Sequence, residues 1–329
     1  MIQPARNIAR SRPCGIKVAP SCQEEVKPHV QEPCRTFCSG RYEYVSKLGE
    51  GSYGEVYKVN DKDRSLVVAL KKVKFQGDKN QGIPQSSLRE LAVLKELDHD
   101  NIIKLYDIVQ SKEQNFELFL SFEMADMDLR QFIHNNSNTL SKQKIKSVMK
   151  ELLNGVNHMH SKRIIHRDLK PENILVSRLG EQVKVADFGL SRTIHNPLRP
   201  YSREILSLWY RSPELCMGYK HYSIGVDTWA LGCIFYELTT GKPLFKEKTD
   251  TGMLFKIFEL FGTPTDENWS WVTKITGFNC SFPVFQAKGL RSLLPGVEEA
   301  AIDLMSRLLA LNPLNRMTCV EALNHPYFQ

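Results

Sequence analysis

No apolar run of about 18 residues occurs in this 329-residue chain, and no basic, apolar, small-residue leader opens it, so neither a membrane span nor a secretory signal is expected. Paired C-x-x-C knuckles are missing as well. The eight cysteines, Cys14, Cys22, Cys34, Cys38, Cys216, Cys233, Cys280 and Cys319, follow no disulfide rhythm, and reduced thiols are expected. The first four could be read as a zinc cluster, but no histidine stands at a ligand interval, and unpaired thiols on a flexible arm are the simpler reading. The net charge of +7 is not gathered into a basic stripe with interleaved aromatics, which argues against a direct nucleic-acid partner. No internal repeat is detectable. What is present, 42% hydrophobic and 25% charged residues, is the composition of a globular protein with a sizeable core.

Residues 1–40 are rich in Pro, Arg, Ser, Gln and Cys without apolar period, and are expected to form a disordered extension, with folding from residue 41 to 329. From Tyr42 to Val73 short β-type runs are punctuated by glycine, predicting a hairpin and a third strand. Pro84 opens a helix on which Leu88, Leu91, Leu94 and Leu97 recur every three residues, suited to packing on a sheet. These elements make a small α+β lobe over about residues 41–124. After it the pattern is mainly helical, as in Lys144–His160, with its face of Ile145, Val148, Met149, Leu152, Val156 and Met159, and in Thr228–Leu238. Residues 246–295 mix helix-like and loop-like stretches and predict no definite element.

Within this frame lie residues that carry chemistry. Gly49-Glu50-Gly51-Ser52-Tyr53-Gly54-Glu55-Val56 has the form G-x-G-x-x-G-x-V, in which a glycine-rich backbone comes close to phosphate oxygens and donates N–H groups to them. Its place inside a hairpin disfavours a dinucleotide fold and leaves a structural turn as the plain alternative. Lys71 follows in Val68-Ala69-Leu70-Lys71, at the spacing where a strand lysine reaches the α- and β-phosphates, and Glu90 on the Pro84 helix is placed to hold it by an ion pair. Taken singly, each is a solvated charge. His166-Arg167-Asp168-Leu169-Lys170-Pro171-Glu172-Asn173 puts a carboxylate, an ammonium and an amide into one short loop, and Asp187-Phe188-Gly189 puts a second carboxylate at the end of the apolar strand Val183–Ala186.

In this order the motifs resemble the eukaryotic protein kinases over residues 42–328, and within them the cyclin-dependent serine/threonine kinases. The resemblance implies a bilobal α+β protein kinase fold, with a β-rich N-lobe of about residues 41–124 and a larger, mainly helical C-lobe of about 125–329. It implies ATP and Mg²⁺ as cofactors. Asp168 would orient the substrate hydroxyl and accept its proton, Lys170 would neutralise the transferred phosphoryl group, and Asn173 and Asp187 would ligate Mg²⁺. For the nucleotide the resemblance points to the loop Gly49, Glu50, Gly51, Ser52, Tyr53 and Gly54, to Leu48, Val56 and Ala69 above the adenine, Leu175 below it and Phe122 behind, and to the Glu123 and Ala125 backbones. Ser212-Pro213-Glu214 stands where the family has A-P-E, with Asp227 and Arg316 at its usual helix aspartate and paired arginine.

Pro84-Gln85-Ser86-Ser87-Leu88-Arg89-Glu90 is similar in part to the P-S-T-A-I-R-E helix, which implies a cyclin partner bound through this helix. Leu208-Trp209-Tyr210-Arg211, Gly262-Thr263-Pro264 and Asn324-His325-Pro326-Tyr327-Phe328 also fit, and Arg211 implies protein substrates with Ser/Thr-Pro sites. Ser202 holds the place of the activating phosphothreonine, with Arg89, Arg167 and Arg192 as the arginines that would grip it. Ser52 and Tyr53 match paired inhibitory phosphosites, and Ser207 matches a hydroxyl that favours Ser/Thr over Tyr as acceptor. A role in cell-cycle or transcription control, in nucleus and cytoplasm, is implied. The alternatives are a pseudokinase scaffold, disfavoured because Lys71, Asp168 and Asp187 are all present, and a mitogen-activated-type kinase, whose T-x-Y pair is absent near Ser202.

Overall fold

Six short strands rich in aromatic and β-branched residues form one antiparallel sheet in the order β1-β2-β3-β4-β6-β5. They are β1 (Thr36–Phe37), β2 (Tyr42–Gly51), β3 (Gly54–Asp61), β4 (Leu66–Val73), β5 (Leu105–Ser111) and β6 (Glu117–Glu123). The computed structural model describes residues 36–38, 40–51, 54–73, 85–111, 117–137, 139–193, 208–221 and 223–329. Most of the extension expected over residues 1–40 lies outside them. Its last part does not behave as expected: β1 pairs with β2, and Phe37 is buried with its ring centroid 5.1 Å from that of Tyr57 and 5.5 Å from that of Phe119. A two-residue strand carries no periodicity, and so Thr36 and Phe37, inside the segment expected to be an extension, gave no strand signal.

Alternation along the strands sorts the sheet into two faces. On one face Tyr57, Val59, Val68, Leu70 and Phe119 join Phe37 in an outer cluster. On the other, Val73, Leu118, Leu120 and Phe122 pack into the main core with Val93, Leu94 and Leu97 from α1 (Gln85–Glu96) and the turn after it. The leucines expected to form one stripe do not all face inward, because Leu88 is 49% exposed. Each three-residue step falls about 60° short of a full helical turn, so the series drifts around the helix and only its later members reach the sheet.

The second half is helical, as expected. In chain order come β7 (Met127–Asp128), α2 (Leu129–Asn135), α3 (Lys142–Ser161), β8 (Ile164–Ile165), β9 (Ile174–Val176), β10 (Val183–Val185), β11 (Arg192–Thr193), α4 (Pro213–Cys216), α5 (Gly225–Thr240), α6 (Asp250–Phe261), α7 (Glu299–Leu308) and α8 (Cys319–Leu323). The chain thus has the bilobal α+β architecture. Ser141 caps α3 by accepting the Lys144 N–H, and all six apolar residues of its expected face are buried. α5 is buried on nearly every side, the mark of a central helix. α6 lies in the stretch left without an element above; its cap Thr249 accepts the Gly252 N–H, and Met253, Leu254, Ile257 and Phe258 form its buried face. No helix among the described residues is long and apolar enough to cross a membrane. Cys216, Cys233, Cys280 and Cys319 are free thiols, whereas Cys14, Cys22 and Cys34 lie outside the described residues.

Backbone contacts help to tie the halves together. Ile102 bridges Val185 in parallel, with Ile103 N donating to Val185 O at 2.9 Å and Val185 N to Asn101 O at 2.9 Å. Behind them Gly155 of α3 lets the helix approach so closely that an added Cβ would lie 2.6 Å from Asn101 O. Within the C-terminal half, the Arg316 guanidinium grips the Glu214 carboxylate twice at 2.6 Å, both side chains being buried. Arg316→Met would strand that carboxylate, and an unfolding free energy lower by about 3–5 kcal/mol is expected in urea titration. A loss below about 1 kcal/mol would rank the pair with exposed bridges.

Candidate active site

Register explains how one face of the sheet comes to carry the expected phosphate and adenine residues. Val56 pairs with Lys71 and Lys71 with Leu120, while Ala69 pairs with Phe122, so Val56, Ala69, Lys71 and Phe122 share the face turned toward α1. Gly49 lies opposite Val56, and Gly51 opposite Gly54, whose φ of +147° favours glycine. Leu48, at a register shift, is exposed, and Glu50 is engaged by Lys47 at 2.9 Å. Ser52 and Tyr53, at the loop tip, lie outside the described residues. Glu123 ends β6 and Ala125 follows in the connection to β7. Leu175 sits in the separate sheet β10-β9-β7 and, like Ala69, packs against the main core.

From that face Lys71 Nζ reaches Glu90 Oε1 at 2.7 Å and Oε2 at 3.0 Å, with Asp187 Oδ1 at 3.6 Å. Burial pulls the Lys71 pKa down, but Glu90 and Asp187 outweigh it and hold the ammonium charged. The expected helix–strand ion pair is therefore formed. Asp187 has φ +61°, a conformation uncommon for a side chain other than glycine, and its buried Oδ1 has no hydrogen-bond partner.

The loop after β8 is equally compact. Lys170 Nζ donates to Asp168 Oδ2 at 2.7 Å, and Asn173 Nδ2 donates to the same oxygen at 3.0 Å and to Asp168 O at 2.8 Å. These bonds fix the carboxylate's rotation. His166 faces the Ala186 carbonyl through Nε2 at 2.9 Å; since a carbonyl only accepts, that nitrogen carries the proton and Nδ1 is left to accept the Asp168 N–H at 3.3 Å. Ala186 N donates to Asn173 O at 2.9 Å. The loop bearing Asp168 and the strand bearing Asp187 are thus stitched to each other.

The loop is held by Asp227, the helix aspartate expected from the resemblance. The Asp227 carboxylate, from the first turn of α5, accepts His166 N at 2.9 Å, Arg167 N at 2.8 Å and His160 Nε2 at 2.9 Å. Arg167 has φ +74°, so this carboxylate holds a strained peptide in place. Burial alone would raise the Asp227 pKa, but His160 and the loop donors bring it below its ordinary value. His160 had no sequence signal beyond its place at the end of a helix, because its partner is 67 positions away.

The elements that carry the expected regulatory arginines are neighbours. Arg192 in β11 pairs with Ile165 in β8, two residues before the buried Arg167, and α1, which carries Arg89, packs against β11. The side chains of Arg89 and Arg192 lie outside the described residues, as do Pro84, Ser202 and Ser207. Arg211 meets Asp250 at 2.6 Å.

Among the described residues no three His, Cys, Asp or Glu side chains gather as a closed metal cage. Asp187 Oδ1, which accepts no hydrogen bond, and the amide oxygen of Asn173 offer a sparse, hard-oxygen donor set. Such a set fits Mg²⁺, which keeps waters and phosphate oxygens in its shell. A family model described as protein kinase domain matches residues 42–328.

Asp227→Asn is expected to lower stability by about 2–4 kcal/mol and to slow any chemistry the loop supports. The sign of its pH dependence follows from the lowered pKa: the carboxylate's contribution is complete above its ordinary value of 3.8 and is lost as pH falls through the folded value. The gap between wild-type and variant urea midpoints should therefore narrow below about pH 4. A gap that stays constant well below pH 4, while both proteins remain measurable, would contradict the assignment.

Proposed function

Since the chain belongs to the protein kinase family, and is therefore an ATP-using phosphotransferase, we propose that it is a serine/threonine kinase of the cyclin-dependent type, acting on Ser/Thr-Pro sites. The observation that carries an active enzyme rather than a scaffold is the assembled charge set, with Lys71 bound twice by Glu90 and Asp168 held by Lys170 and Asn173. Support for a cyclin partner comes from α1: the helix that supplies Glu90 also turns Leu88, half exposed, outward beside it.

In this reading the glycine hairpin and Lys71 bind and orient the nucleotide phosphates, and Val56, Ala69, Phe122 and Leu175 enclose the adenine. Asn173 and Asp187 would hold Mg²⁺, which supplies positive charge beside the phosphates when bound. Asp168 orients the substrate hydroxyl and takes its proton as the oxygen attacks the γ-phosphorus and the bond from that phosphorus to the bridging oxygen breaks, releasing ADP; Lys170, 2.7 Å from that carboxylate, balances charge on the moving phosphoryl group. Phosphorylation of Ser202 would draw Arg89, Arg167 and Arg192 together, and phosphate on Ser52 or Tyr53 would repel the nucleotide. Regulation of cell division or transcription, in nucleus and cytoplasm, completes the proposal.

Purified protein with Mg-ATP and a Ser-Pro peptide is expected to be nearly inactive alone and stimulated at least about a hundredfold by a cognate cyclin. Full activity without a partner would remove the cyclin-dependent part. Asp168→Asn should cut phosphate transfer by about a thousandfold or more while ATP affinity changes less than about threefold, measured by calorimetry. Retained transfer would overturn the role given to Asp168.

A further inference from the structure

Beside the phosphoryl-transfer loop the enzyme's own arginine fills an acidic recess. Arg130, in the first turn of α2, donates through Nε to Glu172 Oε1 at 3.0 Å, through Nη1 to Glu237 Oε1 at 2.6 Å and through Nη2 to the Tyr210 hydroxyl at 2.6 Å. The Tyr210 hydroxyl in turn donates to Glu237 Oε2 at 2.7 Å. The Trp209 ring lies on another side of the guanidinium, 5.9 Å from Cζ. Two carboxylates, a phenol and an indole face thus surround one planar cation, an arrangement that matches a guanidinium in charge and in fork geometry.

The recess is not remote. Glu172 belongs to the same 3-10 turn, Pro171–Asn173, as the Asn173 that holds Asp168. Tyr210 lines a small cavity together with Asp168 and Arg211. The Glu172 side chain is 45% exposed and that of Arg130 30%, whereas Glu237 is buried, so the recess has an open rim and an acidic floor. Left to themselves these carboxylates would attract a cation from a peptide lying across the loop. Arg130 answers that demand from within.

Building on the kinase reading, we propose that Arg130 is a specificity-determining residue, which occupies an acidic substrate subsite and so withholds it from basic side chains flanking the phosphorylated residue. The full-length protein and its Arg130→Met form are compared, for binding and for phosphorylation, on Ser-Pro peptides that carry a single arginine at each neighbouring position in turn. For the variant, one arginine position should gain about tenfold in affinity and in kcat/KM over the neutral parent peptide, a gain absent from wild type, since a charged hydrogen-bonded contact has about that effect. Adding Glu172→Gln should reduce the gain to about threefold or less. A folded Arg130→Met protein with the wild-type ratio at every position overturns the proposal, as does a wild-type protein that already shows the gain. If the variant unfolds because Glu237 is stranded, Arg130→Met with Glu237→Gln keeps the recess without that charge; a gain of about threefold is expected there, and none overturns the proposal. Affinity is read separately from turnover, so wild-type protein that binds the peptides without transferring phosphate would count against the kinase reading and leave the recess to be judged by affinity alone.

Discussion

The structure depends on one constraint: charges taken out of water must compensate each other. Lys71, Glu90 and Asp187 meet at the boundary between sheet, helix and the β10 strand end, one ammonium between two carboxylates. None of the three elements could bury its own charge alone, so each fixes the position of the others. Asp168 and Lys170 repeat the arrangement one loop away. Together these side chains carry one more negative than positive charge, which leaves the site favourable to a divalent cation and, through that cation, to phosphate.

A second buried carboxylate makes the first arrangement possible. Asp227 supplies what a strained loop peptide needs, an acceptor for two consecutive N–H groups, and His160 supplies the donor that lets the carboxylate remain ionised in the core. Protein stability and site geometry are joined at this point, because the helix that presents Asp227 is also the central packing element of the C-terminal half. Arg130 follows the same rule, an internal cation that satisfies the carboxylates of Glu172 and Glu237.

Much of this was legible in the sequence, for a physical reason. The glycine hairpin, Lys71, the Asp168 loop and Asp187 each lie in a short string whose spacing is itself the geometry, and strand alternation alone puts Val56, Ala69 and Lys71 on one face. α3 announces itself by its apolar period. What escaped lacks local period or depends on distant partners. β1 rests on one buried aromatic, α6 lay in a stretch whose signals were mixed, and the three-residue leucine repeat drifted off the helix face. Asp227 was named by its place in the family pattern, but its partner His160 lies 67 positions away, and Arg130 is separated from Glu172, Tyr210 and Glu237 by 42 to 107 positions, distances over which no spacing rule operates.

The most direct test of the central claim is the Mg²⁺ dependence of ATP affinity, measured by titration calorimetry on the full-length protein and on Asp187→Asn. If Asp187 Oδ1, which accepts no hydrogen bond, completes a cation site against the phosphates, Mg²⁺ should tighten ATP binding to the wild type by about tenfold or more, and this gain should vanish in the variant. An equal Mg²⁺ effect in both proteins would contradict the account.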